Sequence, residues 1–306
     1  MSIKKEKLGS RTFDVINYII CGFICIICLY PFLYMFFVSI SDYEAVGMGQ
    51  VRFLPVGFQL ESYEFVFKHK TLLLAFWNSI KYTVTYVILY NLLNCMGGYV
   101  LSLKQFVIKK IVVVYLSIPM YVGGGLIATF LLIRSMGLYN TSWAFLLPAA
   151  VSSGVIFMYM TYIRSNVPDE LRESVYIDGG SDITILFNII FPLIKPILAT
   201  YCLISAVSMW NEYFGPMLYL TDSSKVPIST ILRDILVVKN LSVATINDSS
   251  VSFEGIAMGR RQYIKDGLDR SMNTAIVLVA LIPILIIYPF IQRYYVKGMM
   301  TGAVKG

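Results

Sequence analysis

The chain has 306 residues, of which 57% are hydrophobic and only 14% are charged, and its mean hydropathy is +0.71. A soluble domain of this size needs more charge to cover its surface, so the composition excludes an ordinary globular protein. The formal net charge is +7. The basic residues lie at the ends of apolar blocks and in loops, where membrane topology places them, and this argues against a nucleic-acid-binding protein.

Long uncharged blocks run along the chain, and a helix needs about 20 mostly apolar residues to cross the hydrocarbon core of a bilayer. Five blocks are long enough: Val15–Ser41, Tyr82–Leu103, Ile111–Ile133, Ser135–Ile163 and Ser271–Gln292. A sixth block is shorter, but it can cross if Lys195 extends to one interface and Glu212 lies near the other. We therefore predict an all-α integral membrane protein with six transmembrane helices, forming a single transmembrane domain over residues 1–306.

The distribution of basic residues predicts the orientation of these spans. Four basic side chains precede the first block, namely Lys4, Lys5, Lys7 and Arg11. By the positive-inside rule the N-terminus is cytoplasmic, and six spans return the C-terminus to the cytoplasm as a tail over residues 293–306. Residues 41–71 and 214–270 would then form two outer segments. In the second, Ser224–Val238 has apolar residues at helical spacing, which predicts an amphipathic helix.

The chain offers few groups for chemistry. It has one histidine and no GxxxxGK[ST] phosphate loop, and its five cysteines lie inside predicted spans, where packing explains them better than metal or redox chemistry. We predict no catalytic site, no metal site and no cofactor bound by this chain. Secondary transporters usually keep ionisable residues at mid-membrane depth. Because the predicted spans of this chain contain almost no ionisable residues, we expect the energy for transport to come from another subunit. The glycines Gly123–Gly125 permit a bend or a close helix approach.

The segment from Arg164 to Pro196 is the most acidic in the chain, although the topology places it in the cytoplasm. Asn166 could cap a first helix. The Asp178-Gly179-Gly180 run would end it, because glycine adopts the left-handed conformation at little cost. Ser181 or Asp182 could cap a second helix. This pattern predicts a helix–turn–helix that offers an apolar ridge to a protein partner. The alternative is an amphipathic loop on the bilayer surface, which the acidic charge disfavours because the inner leaflet is usually anionic.

The same segment resembles the EAA loop of ABC importer permeases. That loop has the form E-A-A-x-x-D-G-A followed by P-x-x-x-P, and this chain has E-S-V-Y-I-D-G-G followed by two prolines. The corresponding residues are Glu173, Asp178, Gly179, Gly180, Pro192 and Pro196, with Gly180 in place of an alanine. In that family the loop forms a coupling helix that sits in a cleft of the ATPase subunit. The resemblance implies that these six residues couple the chain to an ATPase.

Other segments resemble the carbohydrate branch of this family. The run Met209–Tyr213 is similar to its W-N-x-[FY] element, and the tail is similar to the C-terminus of the second permease of maltose-type importers. That tail reaches between two ATPase subunits, which implies contacts by Gly298, Gly302, Lys305 and Gly306. The segments Gly123–Ile127 and Phe53–Phe58 resemble the subgroup associated with oligosaccharides and polysaccharides.

The resemblance implies type I ABC importer transmembrane architecture in the lipid bilayer of a bacterial-type plasma membrane. Its partners would be a second permease, two ATPase subunits holding ATP and magnesium, an extracellular solute-binding protein and a carbohydrate, with no nucleic acid. The expected function is that of a non-catalytic permease subunit of an ATP-driven importer for a carbohydrate, an oligosaccharide, in which this chain forms half of the translocation path. A permease for a non-sugar solute is the alternative, ahead of a secondary transporter or a membrane-embedded enzyme.

Amides and aromatic rings commonly hold sugars, so Asn91, Asn94, Trp210 and Asn211 are candidates for a substrate path. Ordinary helix packing and anchoring of aromatic side chains at the membrane interface explain these residues about as well.

Overall fold

The computed structural model describes residues 8–242, 264–287 and 289, and these residues form helices and loops without a strand. The helices are α1 (Leu8–Ser39), α2 (Tyr43–Gly47), α3 (Glu61–Lys68), α4 (Lys70–Ser102), α5 (Lys109–Tyr121), α6 (Leu126–Ser135), α7 (Trp143–Ala149), α8 (Ser153–Asn166), α9 (Glu170–Ile177), α10 (Asp182–Ile185), α11 (Phe191–Leu193), α12 (Lys195–Trp210), α13 (Phe214–Tyr219), α14 (Ile228–Ser242) and α15 (Ile264–Ile287). The prediction of an all-α protein is confirmed for the described residues.

The chain divides into two compact units. The first comprises Met1–Lys70 and Lys239–Leu281, and the second comprises Thr71–Val238 and Ile282–Gly306. In the first unit, α1 exposes large apolar side chains along most of its described length, as expected for a helix that faces lipid. Near the end of α1, the Ser271 hydroxyl of α15 donates a hydrogen bond to the Val38 carbonyl over 3.0 Å.

Three helices are long and apolar enough to cross a membrane, and up to six spans result if each of three bent helix pairs is one span. The straight helices are Phe13–Ser39, Lys70–Ser102 and Ile264–Ile287. The bends are 117° between α5 and α6, 46° between α7 and α8, and 85° between the segment Asp182–Leu193 and α12. The second straight helix begins twelve residues before the predicted block, because Lys81 ends the uncharged run but its exposed side chain does not end the helix.

The predicted role of the three glycines as a bend is confirmed. Helix α5 ends at Tyr121, Val122 is extended, and Gly125 has a φ of +76°. A Cβ added at any of the three glycines would meet no atom of the described residues within 4 Å, so no close approach to another described helix of this chain requires them. The amphipathic helix predicted at Ser224–Val238 is present as α14, although it begins at Ile228 and extends to Ser242.

Close approach occurs instead at Gly98, where α4 faces α8. A Cβ on Gly98 would lie 2.5 Å from the Cβ of Tyr159 and 2.9 Å from the backbone nitrogen of Met160. Two apolar clusters lie along α4. One cluster surrounds Tyr82, in the first half of α4. The other surrounds Tyr99, near the C-terminal end of α4, and includes side chains of the segment before α12.

Candidate functional site

The loop predicted to couple the chain to a partner folds as two helical segments joined by a tight turn. Helix α9 ends at Ile177, and the Gly180 amide donates to the Val175 carbonyl over 2.8 Å. Gly179 has a φ of +79°, the left-handed conformation that favours glycine. A Cβ on Gly180 would lie 2.4 Å from Cγ1 of Val175, so this position is restricted by contact. The predicted end of the first helix is confirmed.

The helix starts were predicted with mixed success. Ser181 caps α10, since its hydroxyl accepts a hydrogen bond from the Thr184 amide over 3.4 Å. The cap predicted at Asn166 is wrong. Asn166 is the last residue of α8, and its side-chain amide donates to the Tyr162 carbonyl. Because Pro168 disfavours helical geometry at the residue before it, Val167 is extended and α9 begins only at Glu170, with Asp169 at its N-cap position.

Glu173 and Asp178 are exposed on this loop. The two prolines of the motif, Pro192 and Pro196, lie where the chain enters the next span. Pro192 and Pro196 occupy the first turns of α11 and α12, where a missing amide proton costs no helical hydrogen bond. Between α10 and α11 the chain forms a π-helical turn, Leu186–Ile190.

An apolar underside holds this region against α4 and α8. Ile185, Ile190 and Ile194 are fully buried in one cluster with Tyr159 and Ile163. On the opposite side, the side chains of Ile177 and Ile183 are 85% and 69% exposed. Large apolar side chains exposed at the tip of an ordered loop are typical of a surface that contacts another protein.

Polar contacts connect the loop to the C-terminal end of α4, and no pattern in the sequence indicated them. The Arg172 side chain is 6% exposed. Its Nη2 donates to Ser102 Oγ over 3.2 Å, and its guanidinium lies 5.7 Å from the centre of the Tyr99 ring. The Tyr99 hydroxyl donates to Asp182 Oδ1 over 2.7 Å, and the Tyr176 hydroxyl donates to the same oxygen over 2.6 Å. The loop is therefore fixed to α4 by buried and charged groups.

A more exposed ion pair lies beside these contacts. Lys104 Nζ lies 2.7 Å from Asp169 Oδ2. The hydrogen bond from Lys104 lowers the pKa of the Asp169 carboxyl below its ordinary value. Because Lys104 is largely exposed, solvent screens this pair and its contribution to stability is small.

The side chains of Asn91 and Asn94, the two asparagines of the predicted substrate path, extend from α4 and contact neighbouring helices and the ends of helices. Asn94 is fully buried, and its Nδ2 donates to the Ala150 carbonyl over 3.0 Å while its Oδ1 accepts from the Ser152 amide over 2.8 Å. These backbone groups lack helical partners because the chain breaks between α7 and α8. Asn91 Oδ1 accepts from the Tyr159 hydroxyl over 2.9 Å. The contacts of both residues in this chain are those of helix packing.

The two other path residues line a cavity of about 360 Å³ with Tyr213, Ile228, Ser229, Leu232 and Arg233. Trp210 is 7% exposed and packs edge-on against Phe76, with ring centres 5.7 Å apart. Asn211 is exposed.

A second cavity, of about 340 Å³, contains aromatic and polar side chains that the sequence did not bring together. Its lining includes Tyr86, Phe145, Phe214, Tyr219, Ser208 and Glu212. The Glu212 carboxylate accepts a hydrogen bond from the Gly215 amide over 2.7 Å, so it also orders the start of α13. These residues come from α4, α7, α12, α13 and the connection between α12 and α13, and only tertiary packing makes them neighbours.

The predicted tail contacts Gly298, Gly302, Lys305 and Gly306 lie outside the described residues. Among the residues that are described, no group of three or more His, Cys, Asp or Glu side chains could hold a metal ion.

Comparison with known proteins identifies the family. A model of the family described as the binding-protein-dependent transport system inner membrane component matches residues 96–301, which is more than half of the chain. The chain belongs to this family. The matched region of the permease contains the whole loop between Arg164 and Pro196, so the resemblance to ABC importer permeases is confirmed.

Two curated relatives of the permease come from Bacillus subtilis (strain 168). The polygalacturonan/rhamnogalacturonan transport system permease protein YtcP is 32% identical and covers 98% of this chain and 100% of its own length. Protein LplC is 32% identical over 97% of this chain and 96% of its own length. A chain in the crystal structure of a bacterial ABC transporter involved in the import of the acidic polysaccharide alginate is 28% identical, with a TM-score of 0.81, and covers 96% of the permease and 100% of that chain.

Proposed function

We propose that this permease is one of two membrane subunits of an ATP-driven importer for an oligosaccharide or polysaccharide. The names of its relatives support a carbohydrate, since YtcP is described for polygalacturonan and rhamnogalacturonan and the similar solved transporter for alginate. Six spans with both termini in the cytoplasm of a bacterial cell agree with three straight helices and three bent pairs. The family description supports a solute-binding protein as a further partner.

The observation that carries the coupling role is the structure of the loop between Arg164 and Pro196. It has a rigid turn at Gly179, a buried underside at Ile185, and an exposed apolar tip at Ile177. A loop that pushes on the membrane helices must be ordered and firmly attached, and it must expose a surface to the subunit that moves it. In the proposed complex, this tip contacts an ATPase subunit that binds ATP and magnesium, and the tail residues form a second contact with the ATPases.

The cavity that contains Tyr86 and Glu212 is the stronger candidate for this subunit's share of the sugar path. Aromatic rings stack on the apolar faces of sugar rings, and the Ser208 hydroxyl and the Glu212 carboxylate can bind sugar hydroxyls. Trp210 and Asn211 remain candidates in the neighbouring cavity. In Asn91 and Asn94, the groups that could bind a sugar already bind the protein.

A photo-crosslinking residue placed at Ile177 tests the coupling role in the native complex. The affinity-tagged permease is purified from its host membranes, and the cross-linked product is identified by mass spectrometry. We expect cross-links to an ATPase subunit from Ile177, and none from the exposed α8 residue Thr161 as the matched control. Cross-links to lipid alone from Ile177 would contradict the proposed docking.

A second experiment tests the substrate class. The purified complex is reconstituted in vesicles with its solute-binding protein, and ATP-dependent uptake is measured for galacturonan, alginate and neutral oligosaccharides. Uptake of at least one of these glycans is expected. Uptake of an amino acid or phosphate in their place would favour the non-sugar alternative.

A further inference from the structure

Helix α4 is held by polar contacts to the coupling loop at its C-terminal end. Tyr99 and Ser102, one turn apart, bind Asp182 and Arg172 of the loop. As whole residues, Tyr99, Ser102 and Arg172 are 4%, 3% and 5% exposed. The hydrogen bond between Arg172 and Ser102 involves a charged group and is shielded from water, so it is strong. The Tyr99 hydroxyl adds a bond to the carboxylate of Asp182, which is exposed. Together these contacts resist sliding of the loop along the helix.

The other end of α4 is held by a different segment, Ser224–Ile228, which leads into the start of α14. Asn78 Nδ2 donates to the Ser224 carbonyl over 2.8 Å, and the Tyr82 hydroxyl donates to the Lys225 carbonyl over 2.9 Å. Ser79 Oγ accepts from the Ile228 amide over 2.9 Å. Because the partners on the segment are backbone groups, α4 fixes the path of the chain here, whichever side chains the segment carries.

Between these two ends, α4 is a continuous helix of 33 residues. From Asn78 to Ser102 it extends about 36 Å at 1.5 Å per residue. The other candidate spans described between Thr71 and Val238 are bent pairs, with bends of 117°, 46° and 85°. A bent pair can absorb a displacement at its break, whereas a straight helix transmits it along its length.

We propose that α4 transmits movement of the coupling loop to the segment Ser224–Ile228, about 36 Å away along the helix axis. This inference rests on the proposed function, because the movement originates in the ATPase subunits. The loop pulls or pushes α4 through Tyr99 and Ser102. The helix then displaces the segment through Asn78 and Tyr82. As a result, ATP binding changes the position of this segment, on the face of the permease that lies away from the ATPase subunits.

Two tyrosines on the same carboxylate oxygen provide a matched pair of variants. Tyr99→Phe removes the hydrogen bond between α4 and Asp182, whereas Tyr176→Phe removes a bond of the same chemistry within the loop. Tyr82→Phe removes one contact at the far end of α4. Tyr30→Phe is a control outside the proposed connection, because the Tyr30 hydroxyl donates to the Arg52 carbonyl, far from α4 in sequence.

The readout is movement at Ser223, the residue immediately before the segment Ser224–Ile228. The exposed Ser223 is replaced by cysteine in the purified complex in vesicles, and the rate of its reaction with a membrane-impermeant maleimide is measured with and without MgATP and vanadate. The labelling of complexes that carry only the native cysteines is subtracted. ATP hydrolysis is measured in parallel, because it reports the partner subunits directly.

We expect MgATP and vanadate to change the labelling rate of Ser223→Cys. Tyr99→Phe and Tyr82→Phe should each reduce that change by about fivefold or more, the lower end of ordinary coupling between sites. Tyr176→Phe and Tyr30→Phe should alter it by less than about twofold, well below that range. The Tyr99→Phe/Tyr82→Phe double variant should resemble the single variants, since both contacts lie in one connection.

Equal effects of Tyr99→Phe and Tyr176→Phe would overturn the proposal, because they would show a disturbance confined to the loop. An unchanged labelling response in Tyr99→Phe and Tyr82→Phe would also overturn it. If Tyr99→Phe does not assemble, Ser102→Ala takes its place and removes the contact with Arg172 together with the Ser102 hydrogen bond to the Tyr99 carbonyl within α4. The proposed function fails separately, if no ATP hydrolysis copurifies with the permease.

Discussion

Gly98 provides a direct test of the packing between α4 and α8. In Gly98→Ala, the new methyl group would lie 2.5 Å from the Cβ of Tyr159, 2.9 Å from the Met160 nitrogen and 3.0 Å from the Ile156 carbonyl oxygen. Carbon atoms normally approach to about 3.5–4.0 Å. Two of the obstructing atoms belong to the backbone and the third is a Cβ, so no change of rotamer relieves the clash and the two helices must separate by about 1 Å.

The magnitude follows from two opposing effects. Overpacking a close contact costs about 1–3 kcal/mol, and three close atoms place this variant at the upper end. Alanine improves helix propensity over glycine by about 0.8–1.0 kcal/mol. We expect a net loss of about 2 kcal/mol, or about 30-fold in the ratio of folded to unfolded protein.

The neighbouring residue is the matched control. In Gly97→Ala the nearest atoms are side-chain atoms of Ile156 at 3.3 Å, which can move by a rotamer adjustment. The gain in helix propensity then dominates, and Gly97→Ala should be neutral or slightly stabilising. Thermal unfolding of the purified complex in detergent, followed by intrinsic fluorescence, measures both variants. If Gly98→Ala unfolds at the same temperature as Gly97→Ala or higher, the described packing is wrong.

Three further substitutions test other parts of the structure. Asn94→Leu leaves the Ala150 carbonyl and the Ser152 amide without partners, which costs about 1–3 kcal/mol for each group. The unfolding temperature should therefore fall while the KM of uptake stays constant. A raised KM with an unchanged unfolding temperature would instead make Asn94 a substrate contact. Gly179→Ala forces a φ of +79° on a residue with a side chain, which costs about 1–2 kcal/mol. This variant should transport less sugar for each ATP hydrolysed. If the ratio of uptake to ATP hydrolysis is unchanged, the turn is not needed for coupling. Asn140 has a φ of 60° and its Oδ1 accepts from the Thr221 and Asp222 amides, so Asn140→Ala should lower the unfolding temperature more than Asn140→Asp, which keeps an acceptor.

Local patterns predicted the turn of the coupling loop correctly. A glycine with a positive φ and a serine that caps a helix act through neighbouring backbone groups, and their partners lie within a few residues. The prediction failed at Asn166, where two rules competed. Its side chain suits a helix start, but α8 extends through Asn166 and Pro168 delays the next helix.

Long-range contacts could not be predicted in the same way. In the sequence, Arg172 is one charge among several in an acidic loop, Asp182 was a candidate helix cap, and Tyr99 lies near the end of a predicted span. Their contact depends on where the loop folds back against α4, over a separation of 83 residues between Tyr99 and Asp182. Likewise, Asn91 and Asn94 could face a sugar or a helix on the same sequence evidence, and only the break between α7 and α8 explains Asn94.

The sequence by itself determined that the chain is an apolar, helical membrane protein with an ordered acidic loop, because hydrophobic blocks, turn glycines and helix caps are local signals. Its motifs also identified the ABC permease family. The tertiary structure decided which polar groups meet. It placed Arg172 and Asp182 against α4, the Asn94 side chain at the break between α7 and α8, and Tyr86 with Glu212 around one cavity. These pairings depend on how the helices bend and pack, since backbone groups exposed at each bend need partners that the membrane cannot provide.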